Sequence, residues 1–444
     1  MKTLIKLFCF CLSATVVQAD ERSSTAELPH PKPPNIILVM VDDMGRDWLG
    51  CYGAKHETPH VDRLAMEGIR YETAWSTPVG TPTRVTLLTG QYPFRHGWTQ
   101  HYDVPRWGGQ GLSWKQFTTV AQALRQGGYA TAIGGTWQIN HLGRQPLALQ
   151  HHGFNEHCVW PGGEAGRTET ASRYWDGQLM INGQRETVRY APDRINEFLI
   201  DFLRRHRDQP FFIYYPMLLA CGPHDATPGN ADDPPAEMQG LYAGQVTYMD
   251  QLVGNLIKAV DQAGLRERTL IVFTGDNGSA VAGTLGDLPY AKGMGRVADQ
   301  GVHVPLVVRA PFLTTGGRVS RDLIDFTDFY PTFLQLAGVQ APEQIPLDGK
   351  SFVPSLRGSE DPFEKRSWIF TQFGDVRMIR DWQHIIDTQG SFHDLQKDPL
   401  QQKKVSPLDK IAPGRRQRLE MILKRFPSDS EAPFPEYAER YPGK

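Results

Sequence analysis

The stretch Asn35-Ile-Ile-Leu-Val-Met-Val-Asp-Asp43 decides the fold. A run this short, apolar and β-branched predicts a strand buried on both faces, the kind a parallel α/β sheet uses. The two carboxylates that follow fall at the strand's carboxyl end, where open α/β sheets gather their ligands. Further along, Thr118 to Gly128 has helical spacing and stops at Gly127-Gly128, and Tyr129 to Ile133 predicts the next strand. Asp193 to Arg207 predicts an amphipathic helix, Pro210 to Tyr215 a buried strand, and Tyr242 to Ala263 a second helix. Thr269 to Phe273 predicts a strand that runs into Thr274-Gly-Asp-Asn-Gly278, and Val304 to Arg309 a further one. This alternation predicts a doubly wound α/β domain over residues 35–348. From Gly349 the texture changes. Short strand-like pieces (Ser367 to Gln372, Val376 to Arg380, Gln383 to Asp387) precede a helix, Gly414 to Phe426, and predict a small α+β subdomain over 349–444.

The N-terminus has a basic start, a short apolar core and a small-residue end at Ala19. That pattern predicts a signal peptide over 1–19, and hence an exported protein, periplasmic or secreted, with no membrane insertion after signal removal. The rival, a membrane anchor, would need a longer apolar run to span a bilayer. Residues 20–34 are polar and proline-rich and predict an extended lead-in. The 444 residues are 40% hydrophobic and 22% charged, with formal net charge -2 and no basic block. That balance excludes a nucleic-acid binder or an anionic-membrane binder. Outside the signal only Cys51, Cys158 and Cys221 remain, an odd number that leaves at least one thiol free or paired between molecules.

Asp42, Asp43, Asp276 and Asn277 place three carboxylates and one amide at one sheet edge. Hard oxygen ligands in that number suit Ca²⁺ or Mg²⁺, although each pair alone is equally the composition of a turn or helix cap. Arg84, reached through Thr81-Pro82-Thr83, adds a guanidinium that pairs with sulfate or phosphate oxygens in a planar fork. That segment reads as a loop feeding a helix at Val85 to Thr89, whose amides would face an anion.

The block Gly80-Thr-Pro-Thr-Arg-Val-Thr-Leu-Leu-Thr-Gly90, apart from its first residue, resembles the signature of the type I sulfatases of the alkaline phosphatase superfamily. The resemblance extends through residues 35–45, Gly128 to Gln138, Phe211 to Leu219, Phe273 to Gly278, Asp299 to Leu306 and His393 to Pro399. Further similarity runs through 58–65, 91–98, 173–176 and 248–254. It implies a mixed sheet sandwiched by helices and calcium-dependent hydrolysis of sulfuric esters, such as those of sulfated small molecules or glycans. It also implies a Ca²⁺ held by Asp42, Asp43, Asp276 and Asn277, with Arg84 steadying the nucleophile's surroundings.

The departures matter as much. In the family the first signature residue is a cysteine or serine oxidised to formylglycine, whose hydrated aldehyde attacks sulfur; here it is Gly80. The family's sulfate-binding lysine falls at Thr136, within Gly135-Thr-Trp-Gln138. A family histidine falls at Cys221, with His224 three residues on. A second lysine falls at Met294, with Lys292 and Arg296 on either side. The metal half of such a site is therefore present, and the nucleophile and acid-base half is mostly absent.

Three functions stay open on the sequence. The first is a degenerate sulfatase that binds sulfate esters without cutting them. The second is a hydrolase of sulfate or phosphate esters that uses Thr81 or metal-activated water. The third is a sulfatase reading its motif from Ser76, although no arginine follows that serine at the required offset. Trp98, Trp107, Trp114, Trp137 and Trp160 are candidates for stacking on a sugar, and equally for filling a core.

Overall fold

The computed structural model describes residues 32–162, 173–405 and 413–427. The expected signal peptide and nearly all of the expected lead-in lie outside the described residues. The strands are β1 (Asn35–Val41), β2 (Ile69–Trp75), β3 (Ala130–Thr136), β4 (Glu156–Trp160), β5 (Trp175–Ile181), β6 (Gln184–Tyr190), β7 (Phe211–Pro216) and β8 (Thr269–Gly275). They continue with β9 (Gly283–Leu285), β10 (Leu288–Tyr290), β11 (His303–Arg309), β12 (Arg318–Asp325), β13 (Ile369–Phe373), β14 (Val376–Arg380), β15 (His384–Asp387) and β16 (Phe392–Asp394).

Ten of them form one mixed sheet in the order β12-β2-β11-β8-β1-β7-β3-β4-β5-β6. β8, β1, β7, β3 and β4 run parallel, and β11 joins β8 antiparallel. The pleat of β1 splits its side chains between two cores. Ile36, Leu38 and Met40 enter a layer with Val85, Leu88, Leu124 and Phe333. Ile37, Val39 and Val41 enter the opposite layer with Leu199, Phe202, Met249 and Val253. The chain is therefore an α/β sandwich with helices on both faces of a mixed sheet, as the resemblance implied.

The expected helices form at Val120–Gln126, Ala191–Arg205 and Met238–Gln262. Their ends shift by a few residues because caps set them: Thr119 closes a capping box with Gln122, and Pro192 starts the second helix. The structure adds strands that apolar runs did not signal. β2 reads Ile-Arg-Tyr-Glu-Thr-Ala-Trp, with polar residues alternating toward solvent, and β5 and β6 form a hairpin at the sheet edge whose outer strand, β6, is largely polar. Only pairing with neighbours makes these segments strands.

At the C-terminal end β13 to β16 form a four-stranded antiparallel sheet. One face packs Phe370, Ile379 and Ile386 on Leu419 and Leu423 of the helix Pro413–Leu423. The other packs Ile369, Met378 and Ile385 on Trp75 and Val302 of the main body. The expected antiparallel sheet with one helix is present, with the three-residue β16 added.

One glycine shows how tightly the carboxyl edge is built. Gly135 has φ +128°, and a Cβ there would lie 1.8 Å from the carbonyl oxygen of Pro216. Backbone cannot yield that distance, so Gly135→Ala is expected to cost about 3 kcal/mol or more by chemical denaturation. A cost below about 1 kcal/mol would show that β3 and β7 can separate there.

Candidate functional site

The register of β1 with β8 pairs Val41 with Gly275, so the residues after both strands emerge side by side. Asp42, Asp43, Asp276 and Asn277 are all buried. The Asp43 amide donates to Asp276 Oδ1 at 2.9 Å, and Asn277 Nδ2 donates to Asp43 Oδ1 at 2.9 Å. Asp43 takes the left-handed backbone (φ 57°), its carbonyl accepting from the Tyr242 hydroxyl at 2.8 Å and the Ala280 amide at 3.0 Å. On the other side the Asp42 amide donates to the Leu219 carbonyl at 3.0 Å, which ties in the loop after β7.

Arg84 is 1% exposed. Its Nη2 lies 2.9 Å from Asp276 Oδ2 and 3.2 Å from Asp42 Oδ2, while Nε and Nη1 are buried without hydrogen-bond partners among the described residues. Three carboxylates facing one guanidinium leave a surplus of negative charge in a dry site. Burial, with repulsion from Asp42, pushes Asp43 up to about 6 and Asp276 well above the usual carboxylate range. Asn277 Oδ1 has no hydrogen-bond partner among the described residues. Converging carboxylates that resist ionisation and an orphaned amide oxygen are what a hard divalent cation would satisfy, so the residues fit such an ion.

The helix that carries Arg84 spans Gly80–Thr89, one turn earlier than expected. Thr81 to Arg84 are its first turn rather than a loop, because proline is tolerated there. Gly80 is its first residue, facing the cluster. A Cβ built on it would lie 2.5 Å from Asp276 Oδ2 and 3.5 Å from Arg84 Nη2.

The other expected residues lie round this centre. Thr136 ends β3 at the same sheet edge, fully buried, its hydroxyl without a partner among the described residues. Cys221 joins the cluster directly: its sulfur and one oxygen each of Asp42 and Asp43 all lie within 4.8 Å of one another. Burial pushes its thiol well up, so it stays protonated. His224 bonds Gln245 Oε1 through Nδ1 at 2.9 Å, and burial lowers its basicity, helped by the nearby charges of Lys292 and Arg173. Lys292 is exposed, on a segment whose Gly293 amide donates to Ser279 O at 2.9 Å and whose Gly295 amide donates to Pro78 O at 2.8 Å. Met294 and Arg296 are exposed as well.

Arg173 is the residue that sequence reasoning missed. It stood in a matching stretch, Arg173 to Asp176, but nothing local marks it as facing the carboxylates. It is buried, lies 4.4 Å over the Trp160 ring, and exerts its charge on Asp42, Asp43 and Cys221.

The alternative nucleophiles are buried and hydrogen-bonded. Thr81 is fully buried, its Oγ1 accepting from the Tyr102 amide at 2.9 Å and lying 3.3 Å from His101 Nδ1. Ser76 is 2% exposed and donates to the Thr77 carbonyl at 3.0 Å. Trp98 and Trp137 are core residues, Trp107 and Trp114 pack against the same core, and Trp160 carries Arg173. Cys51, Cys158 and Cys221 are all free thiols.

Known proteins agree with this architecture. The family profile described as Sulfatase matches residues 34–339, and the one described as N-sulphoglucosamine sulphohydrolase, C-terminal, matches 295–412. The chain is 30% identical over 440 residues to steryl-sulfatase of Mus musculus, covering 80% of this chain and 69% of that protein. It is 30% identical over 365 residues to N-acetylgalactosamine-6-sulfatase of Canis lupus familiaris, covering 74% of this chain and 67% of that protein. The crystal structure of Ps i-CgsB in complex with k-i-k-neocarrahexaose superposes with a TM-score of 0.77 at 24% identity, covering 90% of this chain and 94% of that one. With a profile that spans most of the α/β body and relatives that align along most of its length, the chain belongs to the sulfatase family.

Proposed function

We propose that this protein binds sulfate esters of glycans in a calcium-bearing pocket and hydrolyses them very slowly or not at all. Gly80 carries the reading. On the family's pattern it stands where the formylglycine precursor should be, and it has no side chain to oxidise. Asp276 and Arg84 already crowd the space a Cβ would need. The glycan assignment leans on the printed name of the N-acetylgalactosamine-6-sulfatase relative.

Asp42, Asp43, Asp276 and Asn277 would hold Ca²⁺, or Mg²⁺ in its place. A divalent cation bound there would supply electrophilic charge for an ester oxygen. Arg84 aligns Asp42 and Asp276 and keeps two nitrogens, Nε and Nη1, without hydrogen-bond partners among the described residues. Thr136 supplies no charge where the family has lysine, and Cys221 supplies no basic ring where the family has histidine. Its raised thiol can neither attack nor accept a proton at neutral pH. We assign Lys292 to the rim, close enough to His224 to lower its basicity. Residues 35–348 form the ester-binding domain and 349–444 a packing subdomain, and the leader 1–19 directs export to the periplasm or beyond. No helix among the described residues is long and apolar enough to cross a membrane.

Metal analysis and calorimetric titration with 4-nitrophenyl sulfate test this reading. The expected result is about one Ca²⁺ per chain, saturable ester binding and nitrophenol release at the blank rate. Brisk release would overturn it. The burial of Thr81 bears on the competing route. Thr81→Val removes the acceptor for the Tyr102 amide and is expected to cost about 1–3 kcal/mol in a denaturant titration. It should leave any residual phosphodiester or sulfate turnover unchanged. A loss of turnover without a loss of stability would reinstate Thr81 as nucleophile.

A further inference from the structure

Two arginines elsewhere in this fold are held by carboxylates. Arg309 is fully buried and reaches Glu67 and Asp261 at 3.1 Å each, and Arg366 is clamped on Asp328. Arg173 differs. It is 7% exposed, yet among the described residues no carboxylate lies within ion-pair distance of it, and its Nε and Nη1 are buried without hydrogen-bond partners. Its guanidinium lies 4.4 Å over the Trp160 ring. A guanidinium held on an aromatic face keeps its in-plane donors for something else.

Two anchors define where those donors sit. The Tyr174 hydroxyl, on the next residue, donates to the carbonyls of Leu218 and Cys221, which fastens this segment to the loop that carries Cys221. Trp160 is the register partner of Thr136 on the adjacent strand, and Thr136 is the position that lacks the family's lysine. We propose that Arg173, stacked on Trp160 beside Thr136, is the cationic group that grips the anionic end of a bound sulfate ester in place of that lysine. The inference rests on the ester-binding reading above and names a residue for it.

The charges agree. With a divalent cation among the three carboxylates, Arg84 alone brings the centre to neutrality. Arg173 makes it net positive, which a sulfate monoester anion requires. A guanidinium also offers a fork to two sulfate oxygens, where lysine offers a point charge.

The test is calorimetry on the full chain with two probes, Ca²⁺ alone and 4-nitrophenyl sulfate with Ca²⁺ present, for the wild type and Arg173→Gln. Removing a cation beside both ligands moves their affinities in opposite directions. Ester affinity is expected to fall by about tenfold or more, while Ca²⁺ affinity rises by about two- to threefold. Should Arg173→Gln unfold, Arg173→Met, which keeps an apolar cover on Trp160 without the charge, is read the same way. Ester affinity within about twofold of wild type in a folded variant overturns the proposal. Joint loss of ester and Ca²⁺ also overturns it, since that is the mark of a structural arginine. A wild-type chain that binds no sulfate ester defeats the ester-binding reading itself, and this proposal with it.

Discussion

Calcium-loaded protein is expected to turn over 4-nitrophenyl sulfate about a millionfold more slowly than a sulfatase carrying formylglycine, the scale on which losing a nucleophile usually acts. Further losses in the same catalytic unit add little to the first, so on the proposed reading the absent charge at Thr136 and the absent imidazole at Cys221 should barely deepen the defect. They do block its repair. Gly80→Cys, co-expressed with the enzyme that makes formylglycine, is expected to remain inactive. A Cβ at position 80 would stand 2.5 Å from Asp276 Oδ2, so the Asp276 carboxylate must turn away before any nucleophile fits. Even then no lysine occupies position 136 and no imidazole position 221. Steady-state release of nitrophenol by both proteins decides the matter. Substantial recovery in Gly80→Cys would mean that one atom group was all the site lacked.

Arg84→Met is expected to destabilise the metal-free protein by about 3–5 kcal/mol, the usual cost of removing one partner from a buried ion pair. Arg84 bridges Asp42 and Asp276 at 3.2 and 2.9 Å, and both carboxylates are buried. Without it the cluster has no nearby counter-charge except Arg173, which makes no ion pair with either. Urea unfolding in chelator and in excess Ca²⁺ measures this. Much of the loss should return with Ca²⁺, because ligand binding to the folded state adds stability by mass action. Equal stability of variant and wild type in chelator would show that the carboxylates are protonated there and need no arginine.

Much of this was legible in local sequence. The run Ile36 to Val41 could only be a strand buried on both faces, and its place beside β8 made Asp42, Asp43, Asp276 and Asn277 neighbours. Among the strands that no apolar run announced, β2 and β6 are largely polar and owe their form to their partners. His101 looked like one scattered histidine among fourteen, yet it lies against Thr81. The first turn at Thr81 to Arg84 read as a loop because proline is a helix breaker everywhere except there.

Sequence by itself determined the family and the layered α/β architecture, and it puts a glycine at position 80, because each is written in contiguous residues. Only the tertiary structure decided that Thr81 and Ser76 are buried and hydrogen-bonded, that Asp276 fills the space above Gly80, and that Arg173 brings its charge to bear on the carboxylates. Burial and electrostatic partnership are set by segments that meet only when the sheet closes, and no local pattern carries them.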